Sequence, residues 1–188
     1  MSKEKKQKST FTTKLYEIAS ADGLRPIMQC IYFKDGFAYA ADGWVSIRQS
    51  LEYHSVYNPE MLDGKLLHRN DYKSAMGFEE VVCTDEGLEC INENGQKVFF
   101  YYVNPTEETG GYPSIHKVFN RLPGQTHLSF IGINPKLIER VSRALAGPSD
   151  KGLRMQFTGI DTYLVIDVID YPDQTALIMP KILEPDLL

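Results

Sequence analysis

A helix whose two ends are both written into the sequence constrains this chain most. Asn134-Pro135 supplies an N-cap side chain and then proline at the first helical position, where a missing N–H costs nothing. Gly147-Pro148 supplies the stop, a glycine just past the end and then a residue that cannot continue the helix. The helix Lys136–Ala146 lies between them. Within it Leu137, Ile138, Val141, Ala144 and Leu145 share one side at helical spacing and define a buried face. Lys136, Arg140 and Arg143 fall on the opposite side. A strand over His127–Ile131 precedes the helix. Three alternating strands follow it, about Leu153–Thr158, Thr162–Asp167 and Thr175–Met179. The order is strand, helix, three strands: one βαβββ unit.

The same device occurs earlier in the chain. A helix over about Thr13–Ala21 buries Leu15, Ile18 and Ala19 and closes at Asp22-Gly23. Pro26–Lys34 reads as a strand, Asp35-Gly36 as a two-residue hairpin turn, and Phe37–Ala41 as the returning strand. A turn at Asp42-Gly43 leads into a strand over Trp44–Gln49, and Glu52–Asp63 is a connector. Next come a strand over Lys65–His68, an N-cap at Asn70 and a short helix to about Met76. Strands over Val81–Thr84, Leu88–Asn92 and Gln96–Val103 follow, with turns at Glu86-Gly87 and Asn94-Gly95. Asn104–Gly124 is a loop rich in proline and glycine. The chain thus repeats one element order three times, in units of about 40 to 55 residues. The fold class is α+β, with helices on one face of curved antiparallel sheets.

The 188 residues are long enough to bury a core, and 43% hydrophobic with 24% charged is an ordinary globular balance. A net charge of −5 argues against wholesale coating of nucleic acid, yet the charge is unevenly placed. Lys3, Lys5, Lys6 and Lys8 crowd a polar tail over residues 1–9, expected to be disordered. Glu79, Glu80, Asp85, Glu86, Glu89 and Glu93 crowd the middle strands, and Asp161, Asp167, Asp170 and Asp173 the last ones. Base collects on tail and helices, acid on strands and turns. Cys30, Cys83 and Cys90 are odd in number and lack CxxC spacing, which fits packed free thiols in a reducing cytoplasm. No apolar run reaches the roughly 20 residues of a membrane span, and no signal-peptide pattern is expected at the start of this sequence.

Four segments, in order, resemble the bacterial sliding clamp, the β subunit of DNA polymerase III. Arg25-Pro26 through Ala40-Ala41-Asp42-Gly43 resembles the family's RP…ATDG stretch. Tyr112-Pro113-Ser114-Ile115-His116-Lys117-Val118 resembles its FPDYRRV-type segment. Phe130-Ile131-Gly132-Ile133-Asn134-Pro135-Lys136 resembles its GFN strand-to-helix junction. Ala176-Leu177-Ile178-Met179-Pro180-Lys181-Ile182-Leu183 resembles its VVMPMRL ending. The resemblance implies a shortened, divergent member. Residues 10–122 match one complete clamp domain of two units, and residues 123–183 match the second half of the last domain. Residues 184–188 form a C-terminal tail. Family rings hold more units than one such chain carries, which implies a homo-oligomer if a ring forms.

The residues give no support to catalysis. His54, His68, His116 and His127 are scattered, no Cys or His pairs stand at metal-ligand spacing, and GxSxG, Walker A and GxGxxG motifs are absent. No enzyme and no cofactor is expected. The resemblance implies a bacterial or phage replication protein with two contacts. Duplex DNA would meet Lys14, Arg69, Lys73, Lys136, Arg140 and Arg143 through phosphates, without base readout. The alternative is a solvated helix face whose charges serve solubility. DNA polymerase or other replication and repair proteins would insert a short hydrophobic peptide into a groove. Its positions are Ala41, Gly43, Trp44, Val45, Pro113, Val118, Leu177, Met179 and Pro180, with Trp44-Val45-Ser46 where the family usually has His-Arg-Leu. Trp44 and Met179 could instead be plain core. The functional expectation is a processivity or scaffold clamp. The alternative is a clamp-derived peptide-binding module that encircles nothing. The Glu184–Leu188 tail resembles a clamp-binding peptide, or is a frayed end.

Overall fold

The computed structural model describes residues 8–128, 131–159 and 161–181. Among the described residues, ten strands form two antiparallel sheets. They are β1 (Cys30–Lys34), β2 (Phe37–Ala41), β3 (Val45–Ser50), β4 (Leu66–His68), β5 (Glu80–Cys83), β6 (Gly87–Ile91), β7 (Lys97–Tyr101), β8 (Leu153–Gln156), β9 (Leu164–Val168) and β10 (Tyr171–Ile178). Seven of them make one sheet in the order β4-β1-β2-β3-β10-β9-β8, and β5-β6-β7 make the other. The helices are α1 (Arg69–Ala75), α2 (Ile115–Phe119) and α3 (Pro135–Ala144). This is the α+β class the periodicity predicts.

Period-two alternation assigns the two faces of the large sheet. Ile31, Phe33, Ala38, Ala40, Ile47, Leu164, Ile166, Ala176 and Ile178 join the main core, with Leu15, Ile18, Tyr72, Leu137 and Val141 from the helical layer above them. Tyr39, Val165 and Leu177 point the other way and are covered by Phe119, Ile115, Tyr112 and Leu122. The segment expected to be only a loop therefore carries α2 and seals the second face.

The seam between the early and late parts of the chain is the β3–β10 pairing, with Gln174 opposite Gln49 and Ile178 opposite Val45. Buried polar groups lock its register. Gln49 Nε2 donates to Gln174 Oε1 at 2.9 Å, Thr13 Oγ1 donates to Gln49 Oε1 at 2.6 Å, and the Ala146 N–H donates to Gln174 Oε1 at 2.8 Å. A slip of one residue would leave these groups unpaired in the core.

Several expected elements change form. The helix of Thr13–Ala21 is a single 3-10 turn, Leu15–Glu17, although Leu15, Ile18 and Ala19 are buried. Beyond it the Ser20 N–H turns to the carbonyls of Met28 and Ala41, which ends helical geometry. Pro26–Gln29 likewise forms a 3-10 turn before β1. Asp35-Gly36 is the expected hairpin, with both residues at positive φ. Asn94-Gly95 lies in the turn that joins β6 to β7, as expected, with the Asn92 N–H donating to the Gln96 carbonyl. The Asn92 side chain accepts from the N–H groups of Asn94 and Gln96, and only Gly95 adopts positive φ. Gly87 begins β6 where a Cβ would lie 2.1 Å from the Phe100 carbonyl oxygen.

α3 keeps its punctuation: the Asn134 side chain accepts from the Lys136 N–H at 3.1 Å, and Pro135 is the first helical residue. α1 is capped by His68 rather than Asn70, its Nδ1 accepting from the Asn70 N–H. The strand expected over His127–Ile131 falls partly on Ser129 and Phe130, outside the described residues. His127, Leu128 and Ile131 are not in a strand, and Gly132 makes one bridge to Lys181. Residues 1–7 of the expected tail, and residues 182–188, also lie outside. Ser9, at the tail's end, bridges to Glu80 of β5, and Lys8 pairs with Glu79 at 2.8 Å.

Candidate peptide groove and cationic helical layer

A groove of about 300 Å³ opens where β2, β3, β10 and α2 meet. Ala41, Val45 and Leu177 form its floor and are buried, while Trp44 (66% exposed), Met179 and Val118 stand at its rim. The structure brings these together from segments more than a hundred residues apart, and Gly43 lies with them. Pro113 and Pro180, expected here too, do not line it. Met28, Ser46, Ile115 and Tyr163 complete the lining. Spacing could have found two of these: Ile115 is one helical turn from Val118, and Ser46 is two residues from Trp44. Met28 sits in a 3-10 turn that gave no such signal.

The wall is apolar except for Ser46 and the Tyr163 hydroxyl, so the groove offers hydrophobic contact with few polar fixtures. The turn between β2 and β3 shapes its rim. Asp42 Oδ1 accepts from the N–H groups of Trp44 at 2.9 Å and Val45 at 3.0 Å. The Met179 N–H donates to the Trp44 carbonyl at 2.8 Å, joining the two sides of the rim. Arg25 reaches the same turn, its Nη1 being 3.7 Å from where a Gly43 Cβ would stand.

The cations assigned to DNA lie on the other side of the large sheet, in a layer where the Leu15–Glu17 turn packs against both α1 and α3. Their surroundings differ. Arg140 donates through Nε and Nη2 to the Glu17 carbonyl, at 3.2 and 2.7 Å, and through Nη1 to Asp42 Oδ2 at 2.7 Å. Arg69 Nη1 donates to the Ala19 carbonyl at 2.9 Å. Both arginines therefore satisfy carbonyls left without partners where the first helix stops short. Arg143 pairs with Glu17 and Glu139, at 2.9 Å each, and is 47% exposed. Lys73 lies 5.4 Å from the Tyr16 ring centroid, and Lys14 and Lys136 face solvent. Beside them a cleft of about 670 Å³ gathers Lys14, Arg143 and Lys151 with Thr12, Ser142 and Ser149.

The described residues hold no cluster of His, Cys, Asp and Glu that could seat a metal ion, and no helix long and apolar enough to cross a membrane. The three cysteines are free and buried. Burial pushes the Cys83 and Cys90 thiols up to about 12 and Cys30 up to about 11, which removes their nucleophilic character near neutral pH.

No family model matches the sequence, and no curated protein matches it. Solved structures do match. A DNA polymerase sliding clamp from Pseudomonas aeruginosa superposes with a TM-score of 0.56 at 12% identity, over 90% of this chain and 64% of that one. A C. crescentus β sliding clamp gives 0.52 at 10% identity, over 90% and 63%. The DNA polymerase III subunit β from P. aeruginosa gives 0.51 at 10%, over 97% and 69%. This chain thus spans a little under two thirds of the first of these clamps. At such identities the likeness is one of fold, and the chain is similar in fold to a DNA sliding clamp.

Proposed function

We propose that this chain is a non-enzymatic, clamp-like scaffold that captures short hydrophobic peptides in the groove at the β3–β10 seam. The groove carries the reading: a small apolar hollow with a buried floor and an exposed tryptophan and methionine at its rim. Its volume lies at the low end for ligand sites and suits a few apolar side chains rather than a whole helix. Methionine lets the rim adapt to more than one sequence. The similar solved structures are DNA polymerase sliding clamps. The proposed donors of the peptide are accordingly DNA polymerase or other replication and repair proteins. The test is a fluorescence-anisotropy panel of short Leu- and Phe-containing peptides. Trp44→Ala and Met179→Ala should each weaken binding about tenfold, with thermal unfolding unchanged for Trp44→Ala, whose side chain is largely solvent-facing, and little changed for Met179→Ala, which is 39% exposed. Equal affinity in both variants removes the groove from the account.

Contact with duplex DNA is a second part of the reading, supported by Lys14, Lys73, Lys136 and Arg143, exposed on one helical layer. Arg140 and Arg69 support that layer from within. Surrounding a duplex would require several copies. The outer edges of β7 and β8, which end the two sheets, are the proposed places for them to join. Val98, Phe99 and Tyr101 of β7 are exposed. A chain that stays monomeric at working concentration favours the peptide-binding module that encircles nothing.

A further inference from the structure

Asp42 stands between the groove and the helical layer. One carboxylate oxygen closes the turn by accepting from the Trp44 and Val45 N–H groups, with Gly43 at φ +96. That turn sets the direction in which Trp44 leaves the backbone. The other oxygen accepts from Arg140 Nη1 at 2.7 Å. Arg140 is itself immobilised by two further bonds to the Glu17 carbonyl. The guanidinium is thus a three-bond clasp joining α3, the Leu15–Glu17 turn and the groove turn. The two side chains are 26% and 14% exposed, so this pair is better shielded than a surface ion pair and its fork geometry is fixed.

We propose that Arg140 is a positioning residue for the groove: through Asp42 it holds Trp44 and Val45 where a bound peptide meets them, although it lines no part of the groove. The inference rests on the groove reading and adds to it that part of peptide affinity is set from the helix side of the sheet. Cutting the clasp lets the turn fray, so the peptide must order the rim as it binds and affinity falls. A readout independent of any peptide exists, because Trp44 is the chain's single tryptophan.

The experiment compares Arg140→Gln, Asp42→Asn and the double variant with wild type, by acrylamide quenching of Trp44 and by anisotropy with the labelled Leu/Phe peptide panel. Asp42→Asn keeps an acceptor for the turn N–H groups while removing the charge that faces Arg140, so it cuts the clasp with the least risk to folding. Each single variant should raise the Trp44 quenching constant and weaken peptide binding about tenfold. The double variant should be no worse than either single one, because both remove the same interaction. Arg140→Lys should restore part of the loss. Glu139→Gln, a charge change on the same helix that touches neither Asp42 nor the Glu17 carbonyl, should change neither readout. Unchanged quenching and affinity in Asp42→Asn and Arg140→Gln overturn the proposal, as do additive losses in the double variant or an equal effect from Glu139→Gln. If no peptide binds the wild type, the groove reading falls. The clasp is then decided by quenching alone, where no difference between Arg140→Gln and wild type overturns it.

Discussion

Replacing Gln174 with leucine tests the joint on which both the fold and the groove depend. The side chain is 2% exposed, and Leu is close to it in volume, so the effect is one of polar satisfaction rather than cavity formation. Gln174→Leu strands the Nε2 of Gln49, itself fully buried, and the N–H and carbonyl of Ala146. A stranded buried group costs about 1–3 kcal/mol, and half-buried Ala146 recovers part of its share through water, so the expected loss is about 2–4 kcal/mol. For a chain of this length that lowers the melting temperature by about 6–12 °C at the middle of the range. The assay is urea and thermal unfolding followed by circular dichroism. Gln49→Leu should show a similar loss, and the double variant should lose less than the sum, since the bond between the two side chains is removed only once. A loss below about 0.5 kcal/mol for Gln174→Leu, or strict additivity, would refute the buried network as the lock on the β3–β10 register.

Three further outcomes follow from burial, close backbone packing and exposed charge. Burial holds the His54 imidazole down to about 3, well below its ordinary 6.5. The unfolded chain therefore binds the proton that the folded one refuses, and stability should fall as pH drops through 6.5. It should be about 2 kcal/mol lower at pH 5 than at pH 7.5, and a His54→Gln variant should show a flatter profile; equal profiles would contradict this. Gly87→Ala should cost about 3 kcal/mol or more in urea unfolding, because its Cβ meets backbone 2.1 Å away, and an unchanged midpoint would show that β6 and β7 part freely. Lys14→Glu and Lys136→Glu should each weaken duplex binding at low salt for unrelated sequences alike. Each should lower the slope of log K against log salt by about 0.9, and unchanged binding would detach the helical layer from DNA.

What was legible in the sequence was local. Asn134-Pro135 marks the start of α3 because a cap acts on its own first turn, and Asp35-Gly36 marks its hairpin because positive φ is a property of those two residues. Helical spacing placed Leu137, Val141 and Ala144 on the buried face of α3, because a 3.6-residue period fixes which side chains share a side. The groove floor was legible through resemblance, since Ala41, Val45 and Leu177 stand in motifs that could be matched. What escaped was long-range. The first helix stops short where carbonyls take their partners from Arg140 and Arg69, residues far along the chain that look like free cations when read on their own. α2 escaped because it has barely more than one turn, too short for a periodic signal. The pairing of β3 with β10 was not legible at all, because an open edge does not name the strand that will cover it.

The central claim is that the hollow beneath Trp44 receives apolar peptide side chains. Titrating the intact protein with the Leu/Phe peptide panel, and following the emission of its single tryptophan, tests this most directly. The account predicts a saturable blue shift as Trp44 leaves water, lost when Leu177 on the groove floor becomes glutamate in a protein that still folds. Emission that stays constant throughout the panel, or a shift that survives Leu177→Glu, would contradict it.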